Sequence, residues 1–408
     1  MDKTASVGGI DTDESSRAFS IVCVSSQDWD APLPTNRQQI MAQAAERGHD
    51  VLFVETHGFV GFHLWKLLRR SGRAALARRL FSGEQVAPRV RAARLLNLLP
   101  YGQRFRACNR INWRIGGIFV RRAARALPHP RVLWIYDPRG VDGIGSFGES
   151  FAVYDCVDDY SKQTLGPARS RALVEALDRE TAARSRLVFV TTESLVQHHA
   201  AADGRVHLVA NVADFSHFRP AADREQAPAE LRSLPRPVIG FAGNFLESKV
   251  DFDLLEELGQ AFPEGTLLLA GPAEGAARAR LEAVLERVPN ARWLGLQSYE
   301  RLPRVVAAFD VGVIPYLDNE YTRSCFPLKL YEYLAAGKRV VAAGVPSVRG
   351  LEPHVVLAAT PEAFIDAVRD ASADPDAGAV ERMSIAASNT WESRAERLLG
   401  LVRSELRS

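Results

Sequence analysis

The sequence predicts an α/β protein of two doubly wound domains, each built on a parallel sheet. Three observations carry that reading. Short apolar runs alternate with helix-patterned segments along most of the chain, which is what parallel crossover units produce. At 408 residues the chain is long enough for two domains that each bury a core. Between them residues 219–236, rich in Pro, Ala and charge, read as a linker. The expected layout is a disordered lead over 1–17, a first domain over 18–218, a second over 237–388, and a terminal helix over 389–408.

An apolar share of 47% and a charged share of 25% are those of a soluble globular protein, and no run of about 18 apolar residues suggests a membrane span. Cys23, Cys108, Cys156 and Cys325 show no paired spacing, so the sequence indicates neither a zinc site nor a disulfide framework and fits a reducing cytoplasm. The net charge of +2 hides an asymmetry. Residues 59–131 hold 17 Lys and Arg against the single acidic Glu84, which leaves about −14 for the remainder.

Residues 19–25 (FSIVCVS) and 50–55 (DVLFVE) read as buried strands around a helix over 36–47 that Gly48 stops. The loop before that helix holds no glycine, whereas a dinucleotide fingerprint needs glycines for close approach to a pyrophosphate, which argues against a nicotinamide or flavin dehydrogenase. Residues 61–80 and 109–127 mix arginines with aromatic and aliphatic residues at helical spacing. Three readings stay open for them: a surface in the headgroup layer that attracts anionic lipid at about 1 kcal/mol per charge, a nucleic-acid surface, or arginine stems covering the sheet. No recognised DNA or RNA module accompanies them, so nucleic acid is not an expected partner.

Residues 131–136 (RVLWIY) and 151–154 are further strands, ending at Asp137 and at the run Asp155, Cys156, Val157, Asp158, Asp159. Carboxylates at strand ends lie where an α/β domain places its chemistry. One of them can act as a general base, or can simply cap the helix that follows. Residues 187–192 and 206–209 complete the first sheet. In the second domain residues 237–242, 266–271, 291–294 and 355–358 read as strands, with helices over 252–261, 299–309 and 361–371, before an amphipathic terminal helix over 391–406.

Residues 310–343 (DVGVIPYLDNEYTRSCFPLKLYEYLAAGKRVVAA) organise that domain as one strand, loop, helix and strand. Pro327 suits the first turn of the helix and Gly337 its stop. A helix start favours phosphate, Lys329 adds a full positive charge there, and Glu332 shares its face three residues on. Lysine for a diphosphate and a carboxylate for a ribose diol together make a nucleoside-diphosphate site. An ordinary i, i+3 surface ion pair is the other reading.

The segment PLKLYEYLAAGKRVV resembles the donor site of GT-B glycosyltransferases, bacterial enzymes of exopolysaccharide, teichuronic acid and other cell-envelope glycan synthesis, and YDCVDDYS over 154–161 is similar to theirs as well. The resemblance implies two Rossmann-like doubly wound domains facing a cleft, with the terminal helix crossing back to the first. It implies a nucleotide-diphosphate sugar as donor and a glycan or polyprenyl-linked acceptor, with no cofactor and no metal, in the cytoplasm or on the inner face of the membrane. Glu332 would bind the ribose, while Lys329, Lys249 and the helix start at Pro327 and Leu328 would hold the diphosphate. Asn244 stands where relatives often carry an arginine. On the first domain Asp158, Asp155 and Asp137 are the catalytic candidates, and Trp29 and Arg37 the acceptor-side ones; a packed aromatic and a solvated helix residue are equally good readings of that pair.

Ser324 occupies the position, eight before Glu332, where retaining members carry an acidic residue. Tyr316 with Leu328 and Lys329 instead resembles the nucleotide site of inverting glucuronosyltransferases of xanthan assembly, so retention and inversion both stay open. A nucleotide-sugar epimerase of the same fold, or a membrane-associated scaffold without activity, are the alternative functions.

Overall fold

The computed structural model describes residues 18–56, 58, 73–102, 104–163, 168–202 and 204–408. Eight strands form the first sheet: β1 (Ser20–Ser25), β2 (Val51–Glu55), β3 (Glu84–Ala87), β4 (Val90–Arg94), β5 (Arg131–Ile135), β6 (Phe151–Cys156), β7 (Leu187–Val190) and β8 (Val206–Leu208). Their spatial order is β3-β4-β2-β1-β5-β6-β7-β8, and every pair is parallel except β3 with β4. β1 is buried on both faces: Ile21 and Cys23 turn into one core layer, Val22 and Val24 into the other. This is why it reads as an unbroken apolar run.

The second sheet holds β9 (Val238–Ala242), β10 (Thr266–Ala270), β11 (Ala291–Trp293), β12 (Val311–Pro315), β13 (Arg339–Ala343) and β14 (Val355–Leu357) in the order β11-β10-β9-β12-β13-β14, all parallel. Strand order reverses at β1 and β5 in one sheet and at β9 and β12 in the other. Segments following these strands line one cavity of about 590 Å³ between the domains, the crevice where such folds bind ligands.

The helix Trp391–Arg407 returns to the first domain. Trp391, Ala395, Leu398, Leu399 and Val402 enter the same core layer as Ile21, Phe53 and Trp134. Outgoing and returning crossings run side by side, joined by a backbone bridge between Ala213 and Thr390. Arg394, fully buried, clamps both: its guanidinium donates to the carbonyl oxygens of Val209 at 2.8 Å and Ala210, and pairs with Asp155 at 3.4 Å.

Several local readings change. The expected lead over 1–17 and most of the basic stretch over 61–80 lie outside the described residues. Residues 109–127 are not one helix but Arg106–Ile111, a π turn over Asn112–Gly116, and Ile118–Ala124. Trp113 and Val120 point inward, whereas Ile111, Ile115 and Ile118 face out. Pro327 is the residue before the helix Leu328–Ala335 rather than in its first turn; its extended ψ of 122° turns the chain into the helix. Gly337, at φ 67°, ends that helix in the left-handed conformation a side chain disfavours. Among the described residues no helix is long and apolar enough to cross a membrane.

Candidate active site

The second-domain wall of the cavity is built around Lys329, in the first turn of the helix Leu328–Ala335. No side chain caps this helix, and its start at Pro327, Leu328 and Lys329 lines the cavity. Lys329 is buried, donates to the Tyr316 hydroxyl at 2.5 Å, and lies 4.7 Å above the Phe241 ring. Glycine at position 243 leaves room for this pose: a Cβ there would stand 2.6 Å from Nζ and push the ammonium aside. Lys249 reaches the same place from the loop after β9, its ammonium 4.9 Å from the Tyr316 ring centre and 5.5 Å from that of Tyr321. Burial alone would lower the Lys249 pKa, but Tyr316, Cys325, Tyr321 and Asp158 around it push it well above the usual lysine value.

Glu332 lines the same wall, and no ion pair joins it to Lys329, which turns to Tyr316 instead. The surface-pair reading of these two residues therefore does not hold. Among the described residues no side chain pairs with the Glu332 carboxylate, and burial pushes its pKa up to about 7 against the pull of Lys329. Leu328 lines the cavity and also packs on the first domain's core, while Asn244 stands exposed at the rim.

Across the cleft the three first-domain carboxylates separate in role. Asp158 faces the cavity. Its pKa is raised by burial, with Lys249 and Arg37 opposing, and the Cys325 thiol of the other domain donates to Oδ1 at 3.6 Å. Asp159 beside it is the cap, accepting from Ser161 Oγ at 2.6 Å and the Lys162 N–H at 3.2 Å. Asp137 lines the cavity but is spent on Arg139, whose Nε lies 2.9 Å from Oδ1 and whose charge outweighs burial and holds the carboxyl below its ordinary range. Asp155 does not reach the cavity. It is fully buried beneath it, bound by Arg394 and by Trp134 Nε1 at 3.3 Å, because the alternation of β6 turns it onto the face that the returning helix covers. It is a core residue, not a catalytic candidate.

Arg37 lines the cavity from a buried position, donating to the Tyr160 hydroxyl at 3.1 Å, and its Nε has no partner. It is thus no solvated helix residue. Trp29 is not brought to the cavity; its ring packs edge-on against Phe53 at 5.3 Å and its backbone N–H donates to Glu55 Oε1 at 3.1 Å. Residues that were not among the site candidates also line the cavity. Asn211 donates to the Phe326 carbonyl at 2.8 Å, fixing the entry to the donor-side helix, and Tyr299 stacks on His217 with ring centres 4.1 Å apart. The signal for Arg139 was present in the sequence, a basic residue two after the strand-end Asp137, but its pairing was not.

Residues 236–374 match the family model described as Glycosyl transferases group 1. Over 215 residues the chain is 28% identical to a putative teichuronic acid biosynthesis glycosyltransferase, TuaH, of Bacillus subtilis (strain 168), covering 50% of this chain and 53% of that one. The chain thus spans about half the length of the curated relatives it matches. Sucrose-phosphate synthase from Thermosynechococcus elongatus superposes with a TM-score of 0.72 at 18% identity over 95% of this chain and 99% of its own. Anabaena HepE in complex with UDP-glucose gives 0.65 at 16% identity, over 95% and 100%. The chain therefore has the GT-B fold of these structures, and over residues 236–374 its sequence is similar to the group 1 glycosyl transferases.

Proposed function

We propose that the protein moves a sugar from a nucleotide-diphosphate donor, a UDP-sugar, to a hydroxyl of a glycan or lipid-linked glycan in cell-envelope polysaccharide synthesis. The observation that carries this is the unpaired Glu332 carboxylate one turn beyond Lys329, at a bare helix start on an interdomain cavity. Glu332 accepts hydrogen bonds from the ribose diol. Lys329, Lys249 and the free N–H groups offset the charge that grows on the leaving diphosphate, so the reading needs no metal. Asp158, its basicity raised by burial, takes the proton of the acceptor hydroxyl as that oxygen bonds to the anomeric carbon and the bond to the β-phosphate breaks. Such a single displacement inverts the anomeric centre. Ser324 offers no carboxylate to a retaining alternative, since its hydroxyl is turned onto the Tyr321 carbonyl at 2.7 Å.

The acceptor reaches this cleft from an anionic membrane surface. Supporting this, Phe105, Ile111, Ile115 and Ile118 stand 38 to 52% exposed within one short stretch of the first domain that also holds exposed Arg104, Arg110 and Arg114. Sedimentation with anionic but not neutral vesicles, weakened in Ile115→Asp, is the expected result; equal partitioning to both refutes the membrane part alone.

The donor reading is tested by thermal shift with UDP-, GDP-, ADP- and TDP-sugars. Saturable stabilisation by UDP-sugars, lost in Lys329→Ala, supports it, and no stabilisation of the folded protein by any of them overturns it. Turnover of the nucleotide sugar without acceptor would point to an epimerase.

A further inference from the structure

Behind Asp158, on the far side of β6 from Asp155, three elements bring Cys156, Asp178, His198 and His199 together. Cys156 ends β6, Asp178 comes from the helix Ala168–Arg184, and the two histidines from the end of the helix Glu193–His198. Ligand atoms of Cys156, Asp178 and His199 all lie within 4.8 Å of one another, and all three residues are buried. His199 Nε2 is 3.7 Å from Asp178 Oδ2, too far for a hydrogen bond, and has no other partner among the described residues although its side chain is only 1% exposed. Leaving such a nitrogen unsatisfied costs about 1–3 kcal/mol unless something else takes its lone pair.

We propose that Cys156, Asp178 and His199 bind a zinc-like divalent transition-metal ion, with the fourth position open to solvent. A thiolate, an imidazole and a carboxylate are donors that zinc takes in tetrahedral sites, whose bonds of about 2.0–2.3 Å put neighbouring ligand atoms roughly 3.3–3.8 Å apart. Asp178 already meets that spacing with His199, and its Oδ1 is 4.0 Å from Cys156 Sγ. His198 Nε2 lies 3.0 Å from Asp178 Oδ2, and its side chain, 25% exposed, is the entry from solvent. Tyr154 donates to Asp178 Oδ1 and orients the carboxylate, as an outer-shell donor does.

Binding displaces the Cys156 thiol proton into solvent and forms the metal–sulfur bond; no electrons move. That thiol now donates to the Asp158 carbonyl at 3.3 Å, so loading the site alters what holds the cavity carboxylate's backbone. The ion takes no part in sugar transfer, and the proposal stands apart from the donor reading.

The test is titration of chelator-treated full-length protein with cobalt(II) under nitrogen. The expected result is one equivalent bound, with a thiolate-to-cobalt charge-transfer band and tetrahedral visible bands, both bleached by one equivalent of zinc. Cys156→Ser should lose the charge-transfer band, His199→Gln should weaken binding at least about tenfold, and Cys325→Ser should retain both. A folded wild type without the band overturns the proposal, whatever the variants do. So does a band that survives Cys156→Ser, or one that vanishes only in Cys325→Ser; in either case the four groups form a hydrogen-bonded cluster and no more.

Discussion

Replacing Glu332 by glutamine should make the protein more stable and less able to bind its donor, and the gain should depend on pH in a definite direction. The Glu332 pKa of about 7 stands against an ordinary 4.5. Between those values the folded state holds a proton that the unfolded state has released, so stability falls as pH rises through this window. At about 1.4 kcal/mol per unit, the full effect above pH 7 is at most about 3.5 kcal/mol of destabilisation, absent below pH 4.5. Glutamine never ionises and should recover that energy. At roughly 2 °C per kcal/mol for a chain of this size, Glu332→Gln should melt up to about 7 °C above wild type at pH 8 and level with it at pH 4.5. Scanning calorimetry at both pH values reads this directly. Binding should move the other way: wild type should bind a UDP-sugar more tightly as pH rises from 6 to 8, and the variant should lose both affinity and pH dependence. Equal melting temperatures at pH 8 would mean that the carboxylate is normally solvated, and the argument that it is held ready for a ligand would fall.

Three further outcomes follow from the geometry. Gly243→Ala places a methyl group 2.6 Å from Lys329 Nζ and should weaken UDP-sugar binding about tenfold by calorimetry, since an ammonium near a phosphate is worth up to about 4 kcal/mol at short range, while little unfolds. Asp158→Asn should lower kcat at least about 100-fold with donor affinity unchanged, and wild-type kcat/KM should rise with pH to an inflection above the ordinary carboxylate range; a full-rate variant would remove Asp158 from the chemistry. Asp155→Asn should do the reverse, costing about 3–5 kcal/mol in denaturant unfolding by leaving Arg394 buried without its counter-charge, with the remaining folded fraction still binding donor.

Much of the sheet architecture was legible because parallel strands buried on both faces are written as apolar runs, as in β1, β5, β9 and β12. The β3–β4 pair was not. Its strands carry Glu84, Gln85, Arg91 and Arg94, and its turn passes through Arg89 at φ 58°, so neither alternation nor a glycine announces it. In the candidate site, helix position alone placed Lys329 and Glu332 on one wall, but only the folded chain shows Lys329 turned away toward Tyr316. The run Asp155 to Asp159 shows the limit best. Three like carboxylates within five residues take three different jobs, because Asp155 meets an arginine 239 positions away and Asp158 meets a thiol 167 positions away. Local pattern carries no record of those partners.

The returning helix has a consequence for how the chain comes off the ribosome. Until Trp391 to Val402 are made, the layer holding Ile21, Phe53, Trp134 and Phe189 is covered only in part, by Ile40, Met41 and Ala44 of the helix Asn36–Glu46, although every strand of its own sheet is complete by Leu208. At about 5–20 residues per second, the wait lasts on the order of 10–40 s. Throughout it the nascent first domain shows the part of that layer the returning helix will cover, and the second domain, whose core runs to Ala386, is itself completed only at the end of it. The first half to be synthesised is therefore closed by the last helix to be made.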